Sequence, residues 1–283
     1  MVVVDDGSRD TTAQVVAGFD DPRLSLIRQD NQGVSAARNR GIDALDDDID
    51  AVLFLDADDF LAPDALARLV AALAAAENVV AAYGAYGYVG TDDHPGCRAK
   101  ELKSGPFPSG EILEALLERN LFANGGHVLI RRAAASSFNT DISFGEDWDY
   151  WVRLAFRGRF VTVPGRTPLL FVRRRAGSAY LRLATHPDSF SPCMDAIFDS
   201  PAIHRRLGSA RRYALRKRAE AENAWVVGRE LVRHGRANEA MKWLRRSVTA
   251  RPTMKRLLMV AAVPLLPHLP ENLHGPFRRY PAP

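Results

Sequence analysis

The sequence predicts an α/β protein: a mostly parallel sheet flanked by helices, followed by an all-helical C-terminal region. Two observations support this fold class. Strand-like apolar runs alternate with helix-like stretches over roughly the first 175 residues, and from about His204 the pattern is helical throughout. We therefore expect one domain over residues 1–190 and a helical region over residues 200–283, with the boundary between Pro187 and Pro201.

The first part of the chain contains three predicted strand–helix pairs. The predicted strands are Val2–Val4, Leu24–Gln29 and Ala51–Asp56, of which the last is the clearest buried strand. The predicted helices are one that Asp10 or Thr11 can cap, then Val34–Leu45 and Pro63–Ala76. Ligands bind at the carboxyl ends of the strands in such sheets, so the turns after these strands are candidate sites.

The same alternation continues beyond a long loop. Val79–Gly90 is extended, and His94–Gly110 is a loop rich in Pro and Gly. The remaining predicted elements are a strand at His127–Arg132, a helix with an aromatic face at Glu146–Gly158, and short strands at Phe160–Pro164 and Pro168–Arg175. His127, at the start of its strand, is expected to be a structural histidine rather than a ligand.

The composition is that of an ordinary globular protein, but its charge is uneven. The 283 residues are 47% hydrophobic and 25% charged, with a formal net charge of +4. The first sixty or so residues are rich in Asp, whereas Arg205–Arg256 is rich in Arg. An acidic end suits a metal ion, and a basic end suits phosphates or an anionic surface.

Targeting signals and disulfides are not expected. Two cysteines are too few for a disulfide framework, and the N-terminus has no basic segment followed by an apolar run. The longest apolar stretch, Leu257–Pro267, falls short of the ~20 residues that a membrane-spanning helix needs. We expect a cytoplasmic protein, with peripheral contact at the inner face of the membrane as an open alternative.

Two acidic clusters fall at the ends of predicted strands. Asp5 and Asp6 follow the first strand, and Asp56, Asp58 and Asp59 follow the third. Carboxylates gathered at one point repel unless a cation compensates, and oxygen ligands suit Mg²⁺ or Mn²⁺. The alternative is that these residues form turns and cap helices, which for Asp59 is equally well supported.

Four segments in order resemble one enzyme family. They are DDGSRDTT, NQGVSAARNRGI, FLDADDFLAPDAL and GEDWDYWVRLAFRG, and together with their separations they resemble an inverting family 2 glycosyltransferase of GT-A fold, over Val2 to Arg175. The resemblance implies a nucleotide-diphosphate sugar as donor and a saccharide or lipid-linked acceptor in the synthesis of a cell-surface or exopolysaccharide. No nucleic acid partner is expected.

The resemblance also assigns roles in donor binding. Asp5 and Asp6 would contact the base and ribose, and Arg38 would lie close to the nucleotide. Asp56 and Asp58 form the DxD motif. Asp58 would bind the divalent metal, Mg²⁺ or Mn²⁺, and Asp56 would reach the ribose or the metal shell.

The resemblance makes Asp147 the catalytic base, which agrees with the chemistry of inversion. Direct displacement at the anomeric carbon requires a carboxylate that takes the proton of the attacking hydroxyl. A cation and an Arg can stabilise the negative charge that develops on the leaving group.

Several neighbouring residues keep two interpretations. Glu146 caps the helix, or contacts the acceptor or tunes Asp147. Trp148 stacks on a sugar or belongs to the core, whereas Trp151 is expected in the core. Arg173 heads a basic run, Arg173–Arg175 before Gly177 and Ser178, that either faces the diphosphate or is solvated.

Two departures concern the ends of the chain. Members of the family have an apolar strand and a helix before the DDGS strand, so the resemblance implies that a unit is missing here and that Met1 is a wrong start or the chain a fragment. Ala224–Pro252 resembles one tetratricopeptide-like hairpin, with a generic helical pair as the alternative. The basic residues Lys255, Arg256, Arg278 and Arg279 flank the apolar stretch and favour peripheral attachment to anionic lipid, or solvation of a docking helix.

Two other functions remain open. One is an inactive truncated scaffold that binds partners through the helical region, and the other is a sugar-phosphate nucleotidyltransferase. The second would need a Gly-rich phosphate loop after the first strand, and none is visible in the sequence.

Overall fold

The computed structural model describes residues 1–174 and 186–268, and their contacts divide into two units. The first unit comprises Met1–Val89, Asp93–Ile112 and Phe122–Val172. The second comprises Gly90–Asp92, Leu113–Leu121 and the chain from Arg173 onward. The boundary expected between Pro187 and Pro201 stays a prediction. Arg175, Gly177, Ser178, Arg278 and Arg279 lie outside the described residues.

Strands and helices alternate in the first unit. Its strands are β1 (Val2–Asp6), β2 (Ser25–Gln29), β3 (Ala51–Val52), β4 (Phe60–Leu61), β5 (Val79–Tyr83), β6 (Tyr86–Val89), β7 (Glu101–Lys103), β8 (Val128–Arg131), β9 (Arg159–Thr162) and β10 (Leu170–Arg173). The helices of residues 1–174 are α1 (Thr12–Ala17), α2 (Val34–Asp43), α3 (Ala65–Ala74), α4 (Leu113–Glu118) and α5 (Glu146–Ala155), of which α4 belongs to the second unit.

These strands form three sheets, and both parallel and antiparallel pairs occur among them. β1 and β2 are parallel and pair Val3 with Leu26, and α2 packs against β1. A second sheet has the order β3-β8-β5-β9, in which only β5 and β9 are parallel, and a third has the order β4-β10-β6-β7. The α/β class is therefore confirmed, but the sheets are not mostly parallel in the described part of the chain.

The core of the first unit lies between α3 and the second sheet. Leu69 and Leu73 of α3 pack against Val79 and Ala82 of β5 and Leu129 of β8. The spacing of the two leucines places both on one face of α3, and burial of such side chains stabilises the fold by roughly 1.5–3 kcal/mol each.

The structure differs from three predicted element boundaries. The strand expected over Ala51–Asp56 ends at Val52, because its ladder to β8 pairs only Ala51 and Val52. The loop His94–Gly110 contains β7, which pairs with β6. His127 lies in a 3₁₀ turn, Gly125–His127, and the strand begins only at Val128.

The second unit is helical. After a 3₁₀ turn at Pro187–Phe190 it contains α6 (Ser191–Phe198), α7 (Pro201–Arg206), α8 (Ser209–Arg233), α9 (Ala237–Ala250) and α10 (Met254–Ala262), followed by a 3₁₀ segment, Val263–His268. Helices therefore begin at Ser191, earlier than His204. α9 packs along α8, and α4 also packs against α8.

A glycine permits the close approach of α8 and α9. A Cβ on Gly228 would lie 2.7 Å from Cδ2 and 3.2 Å from the backbone N of Leu244, so only a glycine fits without displacing a helix. Ser247 Oγ also donates a hydrogen bond to the Ala221 carbonyl at 2.8 Å. These contacts form a helical hairpin, and its tetratricopeptide character stays a prediction.

Candidate active site

The first acidic cluster begins with a buried carboxylate at the end of β1. Asp5 is almost fully buried and accepts hydrogen bonds from the Ser8 amide at 2.9 Å and from Arg28 Nε at 3.2 Å. Hydrogen bonds from Ser8, and then the Arg28 guanidinium, hold the pKa of Asp5 below its usual value despite burial. Asp5 is therefore an anion fixed in one orientation at the carboxyl end of the strand.

Asp6 organises the turn that leads into α2. Its carboxylate accepts hydrogen bonds from Gln29 Nε2 at 2.8 Å and from the backbone amides of Gln32 and Gly33 at 2.9 and 2.8 Å. The chain can turn back after β1 because Gly7 has φ +80°, a conformation that side chains disfavour. One carboxylate thus joins the ends of β1 and β2 to the start of α2.

The second acidic cluster lies in the turn between β3 and β4, and a buried amide holds it. Asn124 Nδ2 donates to Asp56 Oδ2 at 3.2 Å and to Asp59 Oδ2 at 2.5 Å. The Asp59 amide donates to the Asp56 carbonyl at 3.0 Å, which closes the turn that contains Asp58. Asn124 is a residue that the sequence analysis missed, since nothing in its local sequence pairs it with carboxylates about 65 residues away.

Arg38 connects the second acidic cluster to the start of α5. Its Nη2 lies 2.9 Å from Asp56 Oδ1 and its Nη1 lies 3.2 Å from Glu146 Oε1. The Arg38 side chain is 12% exposed and that of Glu146 is 14% exposed, so this pair is largely shielded from water. The guanidinium carbon also lies 5.1 Å from the centre of the Phe138 ring.

The charges around Arg38 converge on one place. Burial alone lowers the pKa of Arg38, but Asp56, Glu146 and Asp147 outweigh it and raise that pKa. The field at one guanidinium therefore contains the carboxylates of the DxD turn and of the first turn of α5. These residues come from segments about 90 residues apart that the sequence motifs had predicted to form one site.

The neighbouring Asn39 fixes α2 to the segment before α5. Asn39 Nδ2 donates to the Phe138 carbonyl at 3.0 Å, and Asn39 Oδ1 accepts from the Phe138 amide at 2.6 Å. The Phe138 ring stacks on Tyr150 of α5, with centroids 4.1 Å apart. These contacts explain locally why Arg38 is held against the α5 carboxylates.

The first turn of α5 presents two acidic side chains. Gly145 precedes the helix with φ +81°, and Glu146 and Asp147 are its first residues. Asp147 is half-buried, and its Oδ1 accepts a hydrogen bond from the Trp148 amide at 2.7 Å. Carboxylates are stabilised at a helix N-terminus, so both interpretations of Glu146 retain a physical basis, with the Arg38 ion pair added to them.

The remaining candidate residues are the two tryptophans of α5 and Arg173 at the end of β10. Trp148 is 2% exposed and Trp151 is fully buried, so both rings belong to the core and Trp148 has no face available for stacking on a sugar. Arg173 ends β10 and donates to the Thr91 carbonyl within the second unit. Its role near a diphosphate stays a prediction.

The donor set fits a divalent cation only with ligands from a substrate. Among residues 1–174 and 186–268, no group of three or more His, Cys, Asp or Glu side chains is arranged to hold a metal ion. Asp56 and Asp58 supply two carboxylates in one turn, and Mg²⁺ is often bound by one or two carboxylates together with substrate phosphates. The residues present are compatible with such a site.

The comparisons with known proteins agree with this geometry. A family model described as Glycosyl transferase family 2 matches residues 1–138. The succinoglycan biosynthesis protein ExoO of Rhizobium meliloti is 30% identical over 234 residues, which cover 73% of this chain and 64% of ExoO. Residues 1–138, just under half of the chain, are therefore similar to glycosyl transferase family 2.

Further relatives and solved structures support the family and the fold. ExoU, another succinoglycan biosynthesis protein of Rhizobium meliloti, is 31% identical over 56% of this chain and 49% of ExoU. The chain thus spans about half to two thirds of these curated relatives. The crystal structure of S. aureus TarS 1–349 in complex with UDP-GlcNAc has a TM-score of 0.58 at 17% identity, covering 94% of this chain and 77% of TarS 1–349.

Proposed function

We propose that this protein is an inverting family 2 glycosyltransferase. It transfers a sugar from a nucleotide-diphosphate donor to a hydroxyl of a saccharide or lipid-linked acceptor. The observation that carries the proposal is the convergence of the DxD turn and the first turn of α5 on Arg38. The relatives that act in succinoglycan biosynthesis support a cell-surface or exopolysaccharide as the product.

Donor binding is assigned to the first acidic cluster and the DxD turn. Asp5 and Asp6 contact the base and ribose, and the hydrogen bonds that already fix both carboxylates reduce the ordering cost of binding. Asp56 and Asp58 would hold Mg²⁺ or Mn²⁺ together with the donor. The chemistry that such a cation would supply is neutralisation of charge on the departing diphosphate. The UDP-GlcNAc complex of TarS supports a nucleotide-sugar donor.

Arg38 acts beside this cluster. Its guanidinium is held by Asp56 and Glu146, so it is an oriented positive charge that remains protonated because its pKa is raised. A preorganised cation next to a leaving diphosphate stabilises the transition state without reorganisation. Arg38 therefore serves both the leaving group and the position of α5.

Asp147 is proposed as the base. The Asp147 carboxylate lies in the first turn of α5 and is half-buried, and its Oδ1 accepts a hydrogen bond from the Trp148 amide. A carboxylate positioned in this way would take the proton of the acceptor hydroxyl. Glu146 is engaged by Arg38 and so positions the turn. Removal of the hydroxyl proton during attack completes a single displacement, which inverts the anomeric configuration.

The decisive experiment separates binding from chemistry with Asp147→Asn. Turnover with the matching donor should fall by roughly 10²–10⁴, because the amide cannot take a proton. Donor affinity, measured by calorimetry with UDP-, GDP- and dTDP-sugars in Mn²⁺, should be nearly unchanged. Asp141→Asn, an exposed residue shortly before α5, is the matched control and should leave both quantities unchanged.

Three results would contradict the assignment. Normal turnover by folded Asp147→Asn would move the base elsewhere, with Glu146 as the next candidate. Loss of donor affinity would place Asp147 in the nucleotide site. A parent chain that binds none of the nucleotides would favour the inactive scaffold.

A location at the membrane would bring the protein to its acceptor. We propose that the protein acts in the cytoplasm at the inner face of the membrane, where a lipid-linked acceptor is available. In residues 1–174 and 186–268, no helix has the length and apolar character needed to cross a bilayer.

A further inference from the structure

The last described helix carries a stripe of apolar side chains that are exposed to solvent. On α10, Met254, Leu257 and Leu258 are 70%, 46% and 61% exposed, and Leu265 in the following 3₁₀ segment is 56% exposed. Ala261 is also exposed. At about 100° per residue, the α10 members of this set fall within an arc of about 100° on one side of the helix. We call Met254, Leu257, Leu258, Ala261 and Leu265 the outer stripe.

The opposite side of the same segment accounts for its attachment to the second unit. Met259 and Val263 are buried in a core cluster with Trp225 and Leu231 of α8 and with Leu244 of α9. The apolar content of α10 therefore exceeds what packing on its neighbours uses. A helix that is apolar on its solvent side generally has a second surface to cover.

The inner side also contains a buried ion pair that fixes the orientation of α10. Arg256 is 4% exposed, and it pairs with Glu222 of α8 and donates to the Arg251 carbonyl at 2.9 Å. A buried guanidinium with these partners resists rotation of the helix, because rotation would leave its charge unpaired. The outer stripe is therefore held facing outward.

The charged residues of the segment that carries the stripe are all basic, although Arg246, Arg251 and Arg256 pair with Glu220 and Glu222 of α8. From Ala240 to His268 the sequence contains no Asp or Glu and six Lys or Arg, namely Lys242, Arg245, Arg246, Arg251, Lys255 and Arg256. The first three and Lys255 are exposed on α9 and α10. Lys255 lies at the flank of the stripe, where a long side chain can reach past an apolar surface to a charged one.

We propose that the outer stripe docks the second unit onto an anionic lipid surface. An apolar stripe that inserts among acyl chains, flanked by basic residues that meet acidic headgroups, is the arrangement of an interfacial amphipathic helix. A nucleic acid would bind the basic side chains but would leave the leucines exposed to water. A second copy of this chain would bring basic side chains against basic side chains. This proposal deepens the membrane location proposed above, but it rests on residues of the second unit and not on the transfer chemistry. Its failure would therefore leave the proposed sugar transfer untouched.

The test is sedimentation of the full chain with vesicles. We expect binding to vesicles of phosphatidylcholine mixed with phosphatidylglycerol, little binding to phosphatidylcholine alone, and release as salt screens the charges. Leu257→Gln/Leu258→Gln should weaken binding at least roughly tenfold, because two leucines no longer transfer out of water. Glutamine is a good helix former and both sites are exposed, so the variant should fold.

Leu66→Gln on α3 is the matched control, since this leucine is 51% exposed in the first unit and should not affect lipid binding. Failure of the parent chain to sediment with anionic vesicles would overturn the proposal. Equal binding by parent and double variant would also overturn it. Self-association without lipid that the double variant abolishes would identify the stripe as an interface between copies, which would overturn it as well.

Discussion

Acidification should destabilise the first unit through His127. This side chain is fully buried, and the Ala123 amide donates a hydrogen bond to its Nε2 at 3.3 Å. Its Nδ1 must then carry the proton, which it donates to the Gly84 carbonyl at 2.9 Å. A second proton would displace the Ala123 amide and put an uncompensated charge in the core. Burial accordingly lowers the pKa of His127 from 6.5 to about 4, although the bond to Gly84 opposes the shift.

The size of the effect follows from the two pKa values. In the unfolded chain the imidazole titrates near 6.5, so unfolding takes up a proton below that pH. The stabilisation is fully present above pH 6.5 and is lost progressively as the pH falls toward 4. Between about pH 7.5 and about pH 5 this one group should reduce the free energy of unfolding by about 2 kcal/mol, out of roughly 3 kcal/mol in total.

The assay is urea unfolding at the two pH values for the parent chain and for His127→Gln. The substitution costs stability at both values, but the variant cannot bind the extra proton. Between the two pH values, the free energy of unfolding of the variant should therefore fall by about 2 kcal/mol less than that of the parent chain. His94→Gln, at an exposed site, should keep the parental pH dependence. Identical pH dependence in His127→Gln and the parent would refute the reasoning.

The other predictions concern the site and the helical hairpin. Asp58→Ala should abolish metal-dependent nucleotide binding, and unchanged Mn²⁺-sensitive affinity by calorimetry would remove Asp58 from the metal site. Arg38→Met should lower the free energy of unfolding by about 3 kcal/mol by leaving Glu146 unpaired. In a double-mutant cycle, Glu146→Gln should recover part of that loss, and strict additivity would contradict the pair. Gly228→Ala should destabilise by about 1–3 kcal/mol through the clash between helices, whereas Gly41→Ala, whose Cβ would meet only a methyl group at 3.6 Å, should not.

Local periodicity predicted the helices of the site well. α2, α3 and α5 lie within the ranges expected from apolar spacing. α2 packs against β1 and α3 against β5, and α5 buries Trp148, Tyr150 and Trp151. Three of the four motifs also contain the residues that meet at Arg38, namely Arg38 itself, Asp56 and Glu146. Helix positions and motifs depend on residues close together in the chain, so they can be predicted from the sequence alone.

Features that depend on distant partners were not predictable. Phe54 was expected in a strand, but the Gly125 backbone approaches it so closely that a Cβ there would lie 2.7 Å from Phe54 Cβ. Its ring instead packs edge-on to Phe138 and Tyr150. Strand direction likewise depends on connections between distant segments. The hydrogen bonds from Asn124 to Asp56 and Asp59 join residues that no sequence periodicity relates.

The shared guanidinium of Arg38 makes two parts of the site thermodynamically dependent on one another. A cation that neutralises Asp56 competes with the Arg38 Nη2 for that carboxylate, and this changes how strongly the same guanidinium holds Glu146 and the first turn of α5. Coupling of this kind is reciprocal: if occupancy at the DxD turn alters acceptor affinity by some factor, the acceptor must alter affinity at the DxD turn by the same factor. A single side chain is thus sufficient to couple the two turns energetically without any movement of the domain.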